Sequence, residues 1–165
     1  AYFVVYLTAL GFSLIAAGTI FSLATAVAIP GRIFWGWISS SFINPRVMLG
    51  LLAIFMFITV SLTGMFSGSW ASWLIVFVSA SVSATVFSWH GVTLAEAARL
   101  APSSMKGAVT GGVLSFGQFG GLVLPLIYSL CLSTTGSYQV GFFVCGIPAL
   151  AVGLLLLQST LNSKA

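Results

Sequence analysis

The chain has 165 residues, of which 59% are hydrophobic and only 4% are charged, and its net charge is +4. Soluble domains use about 25% charged residues to cover their surface, so this composition excludes a water-soluble protein and predicts an all-α integral membrane protein in a lipid bilayer. The basic residues are scattered singly between apolar runs, which excludes the clustered positive surface of a nucleic-acid-binding protein.

A membrane-spanning helix needs about 20 apolar residues, and the apolar runs predict five complete spans and one partial span. The partial span, 1–10, lacks the basic segment and cleavage site of a signal peptide, so we expect it to end a helix that begins upstream in a longer protein. The alternative is a small processed membrane protein. The complete spans are predicted at 14–39, 47–66, 70–97, 105–132 and 138–157, within one membrane domain that covers residues 1–165.

Local signals mark the helix boundaries and one irregularity. Ser13 and Asn44 are predicted N-caps, and Pro45 suits the first helical position after Asn44. Pro30 lies inside the first complete span, where we expect it to bend the helix or loosen its hydrogen bonds.

The basic residues predict the orientation in the membrane. Arg46, Arg99, Lys106 and Lys164 all fall on one side, whereas the loops of the opposite side carry no charge. The positive-inside rule places the charged side and the C-terminus in the cytoplasm. We therefore expect a multi-pass protein of the plasma membrane, of the bacterial inner-membrane type.

The spans differ in polar content. The second and fifth are uncharged and rich in Leu, Phe and Ile, whereas the first carries Arg32, the third carries serines and His90, and the fourth is rich in glycine. Polar and small residues within a membrane face protein or a water-filled path. We therefore expect the first, third and fourth spans to be inner helices and the other two to be peripheral.

Polar side chains of the third span form two stripes at helical spacing, on roughly opposite faces. The stripes are Ser79, Ser83 and His90, and Ser81, Thr85 and Ser88. One stripe is suited to a solute path and the other to packing against a neighbouring helix. The alternative is that both make hydrogen bonds between helices.

The candidate solute path comprises the stripe with His90 together with Trp89, Arg32 and Gln118. A histidine titrates near neutral pH, so His90 suits proton coupling; the alternative is a neutral histidine bonded to a serine or a backbone carbonyl. The long side chain of Arg32 can snorkel to the interface, pair with Glu96 or attract an anionic solute.

Glu96 is the only acidic residue of the chain. It can pair with Arg99, three positions later on the same helix, or with Arg32 or Arg46. This makes Glu96 and Arg99 candidates for a gate or latch at the cytoplasmic end.

Glycines of the fourth span recur at four-residue intervals, as Gly107 with Gly111 and Gly117 with Gly121. Such spacing permits close helix packing, and together with Pro125 it also makes the helix easier to bend. Static packing and bending need the same residues, so both interpretations stay open.

No enzyme is predicted. One histidine, one carboxylate and the two cysteines Cys131 and Cys145 cannot supply a catalytic triad or a metal site, and no phosphate-binding or dinucleotide-binding motif is present. We expect no metal and no cofactor, and we interpret both cysteines as unpaired packing residues.

The run GRIFWGWISSSFINPRVML, residues 31–49, resembles the loop between paired helices in the major facilitator superfamily. Gly36 matches the glycine of that pattern and Arg46 a later basic residue. Ser40 stands where the family usually has Asp, and Ser41 where it has a basic residue, so the sequence departs from a complete charged latch. These residues form the candidate loop motif.

The run from Trp89 to Pro125 resembles the tenth and eleventh helices of bacterial members, with a basic loop before a glycine-rich helix. The resemblance covers the end of the seventh helix through the twelfth, the C-terminal half of the bundle. It implies a secondary carrier that works by alternating access as a uniporter, symporter or antiporter, with the missing N-terminal six-helix half as its partner. The excess of basic residues suits a small organic anion, and a proton is a candidate coupling ion.

Two rival functions are weighed. Glu96-Ala97-Ala98 resembles the start of the coupling loop of ABC-importer permease subunits, but Pro102 stands in the region where that loop needs a glycine. A non-transporting scaffold, or a subunit of a larger membrane complex, would use the same polar stripes to bind other helices.

Overall fold

The computed structural model describes residues 2–162, without the side chains of residues 40, 161 and 162, and this part of the chain is all-helical. Five segments of these residues are long and apolar enough to cross a membrane, which is consistent with the predicted multi-pass membrane protein. The helices are α1 Tyr2–Ala9, α2 Leu14–Ser41, α3 Pro45–Gly64, α4 Ser72–Val86, α5 Trp89–Leu100, α6 Lys106–Thr135 and α7 Tyr138–Asn162.

Both predicted N-caps are confirmed. The Ala16 backbone N–H donates to Ser13 Oγ at 3.2 Å, and the Arg46 N–H donates to Asn44 Oδ1 at 3.0 Å, with Pro45 opening α3. These side chains satisfy backbone donors that have no partner within their own helices. Pro30 lies inside α2, which continues through it to Ser41.

Two helix boundaries differ from the sequence-based expectation. The third span is not one helix from 70 to 97, because α4 ends at Val86 and α5 begins at Trp89. The fourth span continues to Thr135, where Gly136 adopts a left-handed conformation (φ +66°) and ends the helix. Apolar length gives no signal for a break inside a span, and it places the end of the fourth span too early because a helix can extend beyond its apolar stretch.

The most extensive helix pair joins α3 to α7, the second and fifth spans. A Cβ atom on Gly153 would lie 2.9 Å from Ile54 Cγ1 and 3.0 Å from the Gly50 carbonyl oxygen, so the two backbones are in direct contact there. Further along, a Cβ atom on Gly146 would lie 3.0 Å from the Phe57 ring. Only glycine permits this approach without displacing a neighbour.

The predicted division into inner and peripheral helices concerns the complete bundle and stays a prediction, but within the described residues α3 is more buried than α6. Only 6% of the residues in the apolar window of α6 are buried, against 33% in α3. The glycine-mediated contact with α7 buries α3, whereas α6 packs mainly against α5 and α7, with one further ring contact between Tyr128 and Tyr2 of α1. Within the described residues, composition alone therefore did not indicate that α3 is more buried than α6.

Two clusters of buried apolar side chains lie at the two ends of the bundle. The larger one joins α1, α2, α4 and the end of α3, and the Tyr6 hydroxyl at its centre lies 3.1 Å from the carbonyl oxygens of both Gly64 and Phe66. The smaller one contains Met48 and Leu52 of α3 with Val92 of α5. The clusters hold α4 and α5 against α3 on either side of the break between them.

Gly153→Leu is expected to lower the free energy of unfolding by about 1–3 kcal/mol, because the added side chain has to displace the α3 backbone at Gly50. The matched control is Gly112→Leu, since a Cβ atom at Gly112 meets no atom within 4 Å. Thermal unfolding of both variants in detergent micelles measures the difference. Equal stability of the two variants would contradict the close α3–α7 contact.

Candidate functional site

The candidate site is built around the break between α4 and α5, which lies near the middle of the span Ser72–Leu100. The break is one tightened turn: the Phe87 N–H donates to Ser83 O at 3.2 Å, and the Ser88 N–H donates to Thr85 O at 3.1 Å. The change from a four-residue to a three-residue hydrogen bond interrupts the α-helical pattern and leaves backbone groups for other partners.

A close approach of α2 and α4 brings Arg32 to this break. A Cβ atom on Gly31 would lie only 3.3 Å from Ala84 Cα, so the two helices nearly touch one residue before Arg32. Arg32 Nε then donates to the Phe87 carbonyl oxygen at 3.0 Å, and its Cζ lies 5.9 Å from the Phe87 ring centroid. A cation at the carbonyl end of a helix is favoured by the helix dipole.

Glu96 pairs with Arg99 and not with Arg32. Arg99 Nε donates to Glu96 Oε2 at 2.7 Å and Arg99 Nη2 to Oε1 at 2.6 Å, so the carboxylate is held by two bonds. The Glu96 side chain is 10% exposed and that of Arg99 is 65% exposed. The sequence left three partners open for this carboxylate, and the structure selects the one on the same helix.

A cleft of about 650 Å³ opens between α5 and α6 beside the break. Phe87, Trp89 and His90 form one wall, and the backbone of α6 at Gly117 and Gly120 forms part of the other. The Trp89 and His90 rings contact each other with centroids 4.1 Å apart and an angle of 30° between their planes. A Cβ atom at Gly117 would lie 3.6 Å from the Trp89 ring and 4.0 Å from His90 Nε2, so this glycine sets the closest approach of the two walls.

His90 has no hydrogen-bond partner for Nδ1 among the described residues, although this atom is buried. One interpretation of the sequence expected His90 to bond to a serine or a backbone carbonyl. No such bond forms at Nδ1 within this part of the chain. Ser88 Oγ is likewise buried and without a partner in the described part of the chain. Two unsatisfied polar atoms thus lie within three residues of each other at the break.

The break separates His90 from the two serines of its predicted stripe. Ser79 and Ser83 are buried and line a different cavity of about 260 Å³, between α1, α2, α3 and α4. The Ser79 hydroxyl donates to the Ile75 carbonyl of its own helix at 2.6 Å. Gln118 on α6 is exposed and lines neither cavity.

The predicted gate residues meet in part. Met48 of α3 and Val92 of α5 lie in one buried cluster, so Arg46 at the start of α3 lies at the same end of the bundle as the Glu96–Arg99 pair. Gly36 has no neighbour within 4 Å of an added Cβ atom, and the side chain of Ser40 lies outside the described residues. The role of this group as a gate stays a prediction.

The predicted packing glycines of α6 face open space at Gly107, Gly111 and Gly121, where an added Cβ atom meets nothing within 4 Å. Pro125 is also exposed, within an uninterrupted α6. Among the predicted packing glycines, only Gly117 meets another described helix. Their packing role stays a prediction that requires a helix outside the described residues.

Sequence reasoning missed the glycines of α7 and the part played by Phe87. A signal for α7 was present, because Gly141, Cys145, Ala149 and Gly153 recur at four-residue intervals. No comparable signal marks Phe87, since its carbonyl oxygen, which any residue has, is what Arg32 binds.

No family model, no curated protein and no solved structure matches this chain. Both cysteines are free thiols, and residues 2–162 contain no group of three His, Cys, Asp or Glu side chains placed to hold a metal ion.

Ser88→Ala is expected to leave the free energy of unfolding nearly unchanged, because Ser88 Oγ is buried without a hydrogen bond. Ser79→Ala also removes a buried hydroxyl group, but this hydroxyl donates a hydrogen bond of 2.6 Å. We therefore expect Ser79→Ala to lower the free energy of unfolding by about 1 kcal/mol more than Ser88→Ala does. Thermal unfolding in detergent compares the two. An equal loss in both variants would mean that Ser88 has a partner in the folded protein.

Proposed function

We propose that this chain is part of a secondary active carrier of the major facilitator type, of which it supplies the C-terminal half. The observation that carries the proposal is the interruption of the third span near its middle, beside a cleft of about 650 Å³. Discontinuous helices in membrane transporters form solute sites near the bilayer midplane, where backbone and side-chain polar groups meet a cavity. The proposed solute path runs through this cleft, past Trp89 and His90.

The polar residues at the break support a path more than a lipid-facing surface. Arg32 and His90 both lie within membrane spans, where ionisable side chains are costly and usually mark a solute or ion pathway. His90 lines the cleft, and a transported proton coupled to its titration is the simplest energy source.

The exposed glycine face of α6 supports the presence of a second half. Gly107 and Gly111 leave room for a closely packed helix, and no described helix occupies that room. The N-terminal six helices of a carrier would cover this face and complete the cavity. We propose the plasma membrane as the location, with Arg46, Arg99 and the C-terminus on the cytoplasmic side.

The second candidate is a scaffold or subunit that transports nothing. It is favoured by the back-bonded hydroxyls of Ser79 and Thr85, which are buried and satisfied within their own helix. Such residues need no aqueous path. The two candidates differ in whether water and solute reach the cleft from both sides of the membrane.

The reactivity of a cysteine placed in the cleft distinguishes the carrier from the scaffold. In the full-length protein without its native thiols (Cys131→Ala, Cys145→Ala), Gly120→Cys adds a side chain where a Cβ atom meets nothing within 4 Å. A membrane-impermeant methanethiosulfonate reagent, applied to vesicles of either orientation, is expected to label this cysteine from both sides, because a carrier exposes its central site alternately.

Leu122→Cys is the matched control, two residues along the same helix but outside the cleft lining and 65% exposed on the outer surface. A lipid-facing thiol ionises poorly and should react slowly from either side. Labelling of Gly120→Cys that is as slow as that of Leu122→Cys on both sides would reject the carrier and favour the scaffold.

A further inference from the structure

A second cavity, of about 470 Å³, lies between α3, α5 and α7 and shares Trp89 and Met56 with the cleft as lining residues. Aliphatic side chains and Met56 supply most of its lining, and Thr85 and Thr93 supply the only hydroxyl groups among the described lining residues. The Thr85 hydroxyl is already used, because it donates to the Val82 carbonyl oxygen of its own helix at 2.9 Å. This cavity therefore offers room to an apolar ligand but few groups that could orient a polar solute.

The cavity is elongated along the helix axes and is open to the outside. Its lining runs from Leu49 to Met56 on α3 and from Pro148 to Leu156 on α7, which at 1.5 Å per residue is about 10–12 Å on each helix. Val152 lines the cavity and is 50% exposed, so the opening lies at the surface of the described helices. Apolar cavities of this kind stay dry, and the apolar matter that surrounds a membrane-spanning helix is lipid acyl chain.

Arg46 places a positive charge at one end of the cavity. It lies one turn before Leu49, on the face of α3 that continues to Ala53 and Met56 at intervals of three or four residues. Along the helix axis, Arg46 is about 15 Å from Met56 at the inner end of the cavity. Half of the hydrocarbon core of a bilayer is also about 15 Å thick, so the cavity has the depth of one leaflet and the arginine lies at the headgroup end.

The charge of Arg46 has no competing acidic side chain. Glu96 is the only acidic residue of the sequence, and Arg99 holds both of its carboxylate oxygens at 2.7 and 2.6 Å. The Arg46 side chain is exposed at the start of α3. An anion that approaches Arg46 from the membrane surface therefore meets a cation that no carboxylate of this sequence neutralises.

We infer that the cavity between α3, α5 and α7 holds one acyl chain of an anionic phospholipid, with the lipid phosphate at Arg46. The chain supplies the van der Waals contacts that the apolar lining lacks when the space is empty. The guanidinium of Arg46 donates charge-assisted hydrogen bonds to the phosphate oxygens, as basic residues at the membrane surface do with anionic headgroups. Transport is not needed for this site, because its ligand comes from the bilayer.

Photocrosslinking locates the chain. The full-length protein is placed in phosphatidylcholine nanodiscs with a trace of phosphatidylglycerol that carries a diazirine at the middle of one acyl chain, and mass spectrometry identifies the labelled residues. The same diazirine chain on phosphatidylcholine measures contact with bulk lipid. Labelling of Ala53 and Met56, relative to that of Leu155, which is 64% exposed outside the lining, is expected to be higher with phosphatidylglycerol than with phosphatidylcholine.

One pair of variants tests the phosphate contact. Arg46→Gln is expected to lower this preference for phosphatidylglycerol about fivefold, the loss of one arginine near the membrane surface. Lys106→Gln is the matched control, because Lys106 is also an exposed basic residue at the start of a helix but does not lie on α3. It is expected to leave the preference unchanged.

A second pair of variants tests the chain. Val152→Trp fills the opening and is expected to abolish labelling of Ala53 and Met56 by either lipid. Leu154→Trp replaces a side chain of similar exposure, 48%, that does not line the cavity, and it is expected to change nothing. Arg46→Gln alters an exposed side chain, so it decides the question even if Val152→Trp does not fold.

The lipid site is overturned if Ala53 and Met56 are not labelled by phosphatidylglycerol, or are labelled equally by both lipids. A preference that survives Arg46→Gln, or labelling that survives Val152→Trp in the folded protein, overturns it as well. Soluble sn-glycerol 3-phosphate serves as a headgroup without chains. If it removes the preference as well as unlabelled phosphatidylglycerol does, Arg46 binds a free phosphate ester and not a lipid. None of these results depends on Gly120→Cys, so the carrier and the lipid site can fail separately.

Discussion

A helix that crosses a bilayer has no water to satisfy its backbone, so each carbonyl oxygen released from the helical pattern needs a partner within the protein. At the break between α4 and α5 that partner is Arg32, which binds the Phe87 carbonyl from the neighbouring helix α2. The bond satisfies a carbonyl oxygen at the point where α4 ends and α5 begins. It also fixes a positive charge beside the cleft, so the local backbone irregularity and the electrostatics of the site have one cause.

The packing that supports this bond comes from residues without functional groups. Gly31 lets α2 approach α4 closely enough for the arginine to reach across, and the contact of Gly50 with Gly153 holds α3 and α7 together as a base. The Trp89 and His90 rings contact each other and face Gly117 of α6. The chemistry of the cleft therefore depends on where small residues permit backbones to meet.

Much of this architecture could be predicted from the sequence, and the features that could not be predicted have a physical explanation. Apolar length predicted all five spans, and Ser13 and Asn44 predicted their helix starts, because both depend on local chemistry. The break at Phe87 and the burial of α3 depend on contacts between helices distant in sequence. Polarity alone placed α6 inside because its glycines suit packing, but composition does not reveal which helix covers them.

The joining of α3 to α7 also bears on how the protein is made. Gly50 and Gly153 are separated by most of the chain, so their contact cannot form until α7 has left the ribosome and entered the membrane. Until then, Gly50 of α3 faces lipid or the insertion machinery in place of α7. A nascent chain stalled before α7 would therefore lack the most extensive helix–helix contact of the described residues.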